Sequence, residues 1–259
     1  IDERAARRPR LRSAQRRSQM HLQLVKRRSP INKRPSPLRN PHHPTLRRPR
    51  TENQNSATNA TVVLVNNAGY GDVGSVEDTT LASFRRQIET NLFGTIIMTK
   101  AAIPIMREQR SGHIIQFSSV GGRIGAPGRA PYSAAKWGVE GFSEVLGKEM
   151  ALIGVRVTIV EPGGFRTDFA GASTTIEEGR AEYDAVVGAA ARMQRAYDGK
   201  QPGDPRKGAA VILEIAGLDE PPLRLPLGKH AVAAIEASDS ARLEELARWR
   251  ALSESTDFD

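Results

Sequence analysis

The chain has 259 residues, enough for one full α/β domain with a sizeable core. It contains no Cys, which excludes a disulfide framework, a thiolate metal site and a Cys nucleophile. No apolar run approaches the ~18 residues of a membrane span, and both features fit a reducing, cytoplasmic setting.

The net charge of +9 is unevenly spread. Residues 1–60 hold 16 Lys and Arg against three acids, Asp2, Glu3 and Glu52, a charge of +13. They contain no aromatic residue and no Gly, but seven of the 16 prolines. Like charge and few apolar side chains leave too little burial to offset chain entropy. Spaced prolines also forbid a long helix or a central strand. This reads as a disordered basic arm on a body of residues 61–259, which carries 22 basic and 26 acidic groups.

In the body, Thr61–Val65 is a continuous β-branched run ending at Asn66-Asn67-Ala68-Gly69. A short run apolar on both faces suits a buried parallel strand. Asp78 to Arg110 reads as one or two helices, with Leu81, Phe84, Ile88, Leu92 and Ile96 near helical spacing. Ile114–Phe117 is a second strand, 131–152 a helix, and Val155–Val160 a third strand closed by Pro162-Gly163-Gly164. Residues 176–197 read as helical, Leu223–Leu225 as a short edge strand. An amphipathic helix is expected over 230–250, with Val232, Ile235, Leu243, Leu246 and Trp249 apolar. Strands alternating with helices predict a Rossmann-like α/β fold, a three-layer sandwich around a parallel sheet. In such sheets chemistry sits beyond the carboxyl ends of the strands.

The residues with chemical potential lie at those ends. Tyr132 and Lys136 are four apart in an expected helix and share a face. A free phenol titrates near ~10 and is a poor acid or base at neutral pH. A nearby ammonium would favour the phenolate and lower that value, making Tyr132 a general acid/base. Ser119 ends the preceding strand and is able to donate a hydrogen bond to a substrate carbonyl oxygen. His113 and His230 stand in no metal-ligand spacing and read as structural or surface residues, so no metal site is expected.

Five segments recur in a set order: NNAG at Asn66–Gly69, NLFG at Asn91–Gly94, Ser118-Ser119, YSAAK at Tyr132–Lys136 and PGGFRT at Pro162–Thr167. In this order, with 13 residues from Ser119 to Tyr132, the chain resembles the short-chain dehydrogenase/reductase family across residues 61–259. The resemblance implies an NAD- or NADP-dependent oxidoreductase that interconverts a secondary alcohol and a ketone. It assigns proton exchange to Tyr132, the nicotinamide ribose and a lowered Tyr132 pKa to Lys136, and the substrate oxygen to Ser119. Asn91 would hold a water linked to Lys136. Asn67, Ala68 and Gly69 would lie on the adenosine side of the cofactor, and Pro162, Gly163 and Thr167 would flank the nicotinamide and its phosphate. Asn66 would brace the sheet and Ser118 would be structural. Asp168 onward would form a substrate lid, with Val120, Gly121, Pro127, Phe165 and Phe169 as pocket candidates. A small-molecule alcohol or carbonyl substrate and a homodimer or homotetramer through 91–110 and 131–152 are implied, with no membrane or nucleic-acid partner.

The chain departs from the family in one respect. The family opens with a strand and a glycine-rich turn that receives the pyrophosphate at a helix N-terminus. No Gly precedes Gly69, so that turn, and the residue that selects NAD or NADP, have no counterpart. The expectation is an open edge on the strand at 61–65. Three explanations stay open. Residues 1–60 are an out-of-frame or mis-started translation of an ordinary member, or the chain is a catalytically inactive remnant, or the basic arm binds nucleic acid. The arm has no aromatic residue to stack on bases, which weighs against the last.

Overall fold

A computed structural model describes residues 61–171, 173–177 and 179–258. The basic arm expected over residues 1–60 lies outside them. Four parallel strands form one sheet in the order β1-β2-β3-β4: β1 Val63–Asn66, β2 Gly112–Phe117, β3 Val155–Pro162 and β4 Arg224–Leu227. Leu64 stands opposite Ile114, Ile114 opposite Val157, and Ile159 opposite Arg224. The β-branched runs form these strands because side chains alternate between two faces that are both covered.

One face packs on α2 (Gly94–Gln109) and α3 (Ala130–Ala151). There Leu64, Ile114 and Val157 meet Met106, Leu146 and Met150. The opposite face packs on α5 (Pro205–Ala216), where Val63, Ile115 and Val160 meet Ile215 and Leu227. The expected three-layer arrangement is therefore present. Ile114, Ile115 and Ile159 are fully buried, each burial stabilising by roughly 1.5–3 kcal/mol. Among the described residues β1 pairs with β2 alone.

The first helical stretch runs as α1 (Leu81–Ile88), a π-helical turn (Glu89–Phe93) and α2 without a break. Thr80 caps α1 by accepting from the Ser83 amide at 3.2 Å. Gly154 joins α3 to β3 at φ +75°, and a Cβ there would stand 2.7 Å from the Arg110 carbonyl oxygen, so only glycine fits.

Several expectations need correction. Strand β1 begins at Val63, two residues late. Helical structure in the 176–197 stretch begins only at Ala181, as short turns (Ala181–Tyr183 and Asp184–Gly188) leading into α4 (Ala189–Tyr197). Helix α5 was not anticipated. Asp204 caps it by accepting from the Arg206 amide at 2.8 Å, Pro205 occupies its first turn and Gly217 follows its last residue. The C-terminal helix α6 (Lys229–Glu254) extends beyond the expected 230–250. Among the described residues no helix is long and apolar enough to cross a membrane.

Candidate active site

Three elements bring the expected catalytic residues together. Ser119 follows β2 in extended backbone, and its Oγ caps the turn Val120–Gly122 by accepting from the Gly121 amide at 3.0 Å. Tyr132 and Lys136 lie on one face of α3 and are 9 % and 4 % exposed. Ser119 Oγ and the Tyr132 ring meet beside Gly121, where a Cβ would stand 3.6 Å from the one and 3.1 Å from Cε1 of the other. Lys136 Nζ donates to the Phe117 carbonyl at 2.7 Å and stands 5.8 Å from the centre of the Tyr132 ring. The chain that leaves β2 is thus held against the helix that carries the phenol.

The electrostatics differ from the expectation in one point. Burial raises the Tyr132 pKa above its ordinary 10.0, opposed by the Ser119 hydrogen bond and the Arg129 charge. The Lys136 ammonium donates to a main-chain carbonyl, and burial pushes its own pKa down to about 8, with Glu140 opposing. The cation that acts on the phenol is Arg129, which was not foreseen. Arg129 precedes α3 and donates to the Gly71 carbonyl at 3.0 Å and to Gln194 Oε1 at 2.6 Å.

Asn91 sits in the π-helical turn, fully buried. Such turns concentrate at functional sites because they re-aim a side chain out of the helical ladder. Its amide grips the Tyr70 main chain both ways: Nδ2 donates to the carbonyl at 2.9 Å and Oδ1 accepts from the amide at 3.0 Å. Gly69 lies between Asn91 and Lys136. A Cβ on it would meet Asn91 Oδ1 at 2.5 Å and Lys136 Nζ at 3.6 Å. Asn66 braces the sheet as expected, donating to Gln116 Oε1 at 2.8 Å and Thr99 Oγ1 at 3.0 Å.

A cavity of about 1040 Å³ opens over this floor. Asn67, Gly69, Ser119, Tyr132 and Lys136 line one side, and Pro162, Gly163 and Thr167 line another. Of the expected cofactor residues only Ala68 is outside its wall. Phe165 and Phe169 line it, but Val120, Gly121 and Pro127 do not. The Phe169 ring tilts against Tyr132 with centroids 5.5 Å apart. The cavity continues along Val63 and Val65 to Ile212 on α5. Gln194, Tyr197 and Gln201 also line it and were not foreseen. Glutamine carries no local signal of a site, and these residues converge only through the tertiary fold.

Comparison with known proteins agrees with this geometry. The family model for short chain dehydrogenase matches residues 54–178. Oxidoreductase BOA17 of Botryotinia fuckeliana is 45% identical over 191 residues, covering 74% of this chain and 70% of that protein. The chain belongs to the short-chain dehydrogenase family. A 3-ketodihydrosphingosine reductase of Bacteroides thetaiotaomicron is 37% identical over 168 residues, 64% of this chain and 62% of the relative. The crystal structure of a short-chain dehydrogenase from Streptomyces avermitilis superimposes with a TM-score of 0.70 at 40% identity, covering 76% of this chain and 71% of that one. The protein is an oxidoreductase of the short-chain dehydrogenase type, a family that generally uses NAD or NADP and acts on small molecules.

Proposed function

We propose that this short-chain dehydrogenase interconverts a secondary alcohol and a ketone, with NAD or NADP as hydride carrier, through Ser119, Tyr132, Lys136 and Asn91. The observation that carries the reading is the convergence of Ser119, Tyr132 and Lys136 on one cavity, with Lys136 one helical turn beyond Tyr132 on α3. The relative from Bacteroides thetaiotaomicron named 3-ketodihydrosphingosine reductase supports the ketone side of the reaction.

The nicotinamide, when bound, supplies or receives the hydride at the carbon. In reduction Tyr132 Oη gives its proton to the substrate oxygen, and the Ser119 hydroxyl donates a second hydrogen bond to the same atom. A phenol held above its ordinary pKa stays protonated at neutral pH, which suits proton donation and hence reduction. Lys136 would hold the ribose hydroxyls. Asn91 holds the Gly69–Tyr70 turn in place, and Asn67, Ala68 and Gly69 would take the adenosine side. Pro162, Gly163 and Thr167 would flank the nicotinamide and its phosphate. The residues present fit the nicotinamide-ribose end of the cofactor: Gly69 leaves the approach to Lys136 open, and the cavity is large enough. Residues 1–68 contain no Gly, so none of them supplies a glycine-rich turn to the pyrophosphate end.

A homodimer or homotetramer is part of the reading. Phe93 at the end of the π-helical turn, Ile97 and Ile105 on α2, and Trp137 and Val145 on α3 are exposed apolar side chains. Gly141 on α3 has open space where a Cβ would stand. A helix-interior glycine costs about 1 kcal/mol against alanine, which close approach of a second copy would offset. A cytoplasmic location rests on the Cys-free composition.

The test is consumption of NADPH or NADH by the full chain with a series of aliphatic ketones. Tyr132→Phe lowers kcat/KM by about 10³-fold with the circular dichroism unchanged. Equal rates for the variant and the unaltered protein would refute the reading.

A further inference from the structure

The loops that leave β2 and β3 build two walls of the cavity, and they separate early. Among the described residues the last main-chain hydrogen bond between them runs from the Ser118 amide to the Val160 carbonyl at 2.8 Å. Beyond it, Ser119 stands on one loop, and Pro162, Gly163 and Thr167 stand on the other. A side chain spans the gap. Arg123 closes the turn that Ser119 caps, its amide donating to the Val120 carbonyl at 2.9 Å. Its Nη1 donates to Glu161 Oε1 at 2.9 Å. Glu161 is 0 % exposed and directly precedes Pro162. The second prong, Nη2, donates to Asp239 Oδ2 on α6 at 2.6 Å, and the Arg123 carbonyl accepts from Arg242 Nη2. The Arg242 guanidinium in turn lies over the ring of Trp137, the neighbour of Lys136, at 4.9 Å from its centre.

We infer that Arg123 and Glu161 are positioning residues for hydride transfer: their ion pair sets the separation between the Ser119 wall, which takes the substrate oxygen, and the Pro162–Gly163 wall, which flanks the nicotinamide. This rests on the ketone–alcohol reading of the site. A planar guanidinium held at two prongs is fixed in direction as well as in place. Asp239 and Arg242 hold Arg123 from α6, so the turn cannot swing toward or away from β3. A buried ion pair is seldom more stabilising than an apolar pair of the same size, so stability alone does not account for this one. Distance does: a misplacement of ~1 Å between reacting groups costs on the order of 10²-fold in rate.

The test compares the full chain with Arg123→Met, Arg123→Lys and the double variant Arg123→Met/Glu161→Met. The double variant leaves no orphaned carboxylate behind and keeps an apolar pair in its place, so it folds where the single one fails to. Three quantities are read: calorimetric affinity for NADPH, NADH and an aliphatic methyl ketone, amide hydrogen exchange over residues 118–124, and the single-turnover rate of nicotinamide oxidation at saturating ketone. In the single Met variant and in the double variant the rate constant is expected to fall about 10²-fold, with the affinities held within about twofold. Exchange over 118–124 quickens about tenfold as the turn is released. Arg123→Lys keeps the charge on one prong and loses about tenfold in rate. An unchanged rate constant would overturn the inference, whether the amplitude falls or not, since a lower amplitude reports only a smaller folded fraction. So would full recovery in the double variant, which would lay the loss on the orphaned Glu161 charge. Unchanged exchange over 118–124, or weakened binding with an unchanged rate, would overturn it too. Failure of the ketone–alcohol reading shows differently, as equal turnover in Tyr132→Phe and the unaltered chain. Absence of any turnover in the unaltered chain would overturn both.

Discussion

Lys136 reaches from α3 to the end of β2 and donates to the Phe117 carbonyl at 2.7 Å. That bond ties the helix carrying Tyr132 to the strand end that leads into Ser119. It also fixes the ammonium beside Gly69, where a ribose would approach.

This contact predicts a pH dependence. The Lys136 pKa is lowered by burial to about 8, so its charge is present below that value and lost above it. The Tyr132 phenol titrates above its ordinary 10.0 and stays protonated throughout this range. Ketone reduction should therefore decline as pH rises through about 8, and the kcat/KM profile should show that limb. Lys136→Arg keeps its charge at all working pH values, so its profile should lose the limb while its rate falls overall. A limb unchanged in Lys136→Arg would assign it to another group.

Gly69→Ala places a Cβ 2.5 Å from Asn91 Oδ1. Asn91 is fully buried and grips Tyr70 at both ends of its amide, so it has no free rotamer to retreat into. The expected cost is about 1–3 kcal/mol of stability, with a larger proportional loss in cofactor affinity as the ribose approach closes. Thermal melting and a cofactor titration on the same sample check both effects.

Arg129 links the site to the segment above it. It binds Gln194, whose Nε2 donates to the Ala170 carbonyl at 3.0 Å, next to the Phe169 ring that covers Tyr132. Arg129→Met removes this link and a charge that holds the Tyr132 pKa down. KM should rise by about tenfold, and the phenol titration, followed by ultraviolet difference against Tyr132→Phe, should move further up. Arg129→Lys restores the charge without the planar two-pronged contact. It should recover the titration and not the KM.

His113 lies fully buried in β2 and makes a 2.9 Å hydrogen bond with Thr158 Oγ1. Thr158 spends its own proton on the Pro222 carbonyl at 2.9 Å, so His113 Nε2 is the donor. Its Nδ1 has no partner. Burial, with Arg156 adding repulsion, lowers the His113 pKa from 6.5 to about 4. The folded state thus binds fewer protons than the unfolded state between these values. Stability is full above pH 6.5 and falls by about 3 kcal/mol as pH drops toward 4. Urea melts across that range check the slope, which should flatten in His113→Gln.

The residues that were legible in the sequence share one property: their meaning is local or lies in their order along the chain. The β-branched runs at Val63–Val65 and Val155–Val160 mark buried strands by composition alone. Ser119, Tyr132 and Lys136 announce themselves by spacing. Helix α5 carried readable signals, the Asp204-Pro205 start and the Gly217 stop, but its apolar residues, Val211, Ile212 and Ile215, do not stand out as a stripe beside Gly208-Ala209-Ala210. Arg129 and Gln201 were not legible. An arginine three residues before a tyrosine is ordinary, and only the fold shows that this one is largely enclosed and turned toward Gly71 and Gln194. The direction of the Tyr132 shift was misjudged for the same reason. Spacing placed Lys136 near the phenol, but the sequence does not reveal that the Phe117 carbonyl accepts a hydrogen bond from it or how deeply the phenol is buried.

The most direct test of the account is a titration of NADPH and NADH into the full 259-residue chain, followed by cofactor fluorescence, beside the same titration of Lys136→Met. The account predicts saturable binding of at least one of them and its loss in the variant. Absence of binding by either cofactor to a folded sample, or binding indifferent to Lys136, would contradict the claim that Ser119, Tyr132 and Lys136 form a working hydride-transfer site.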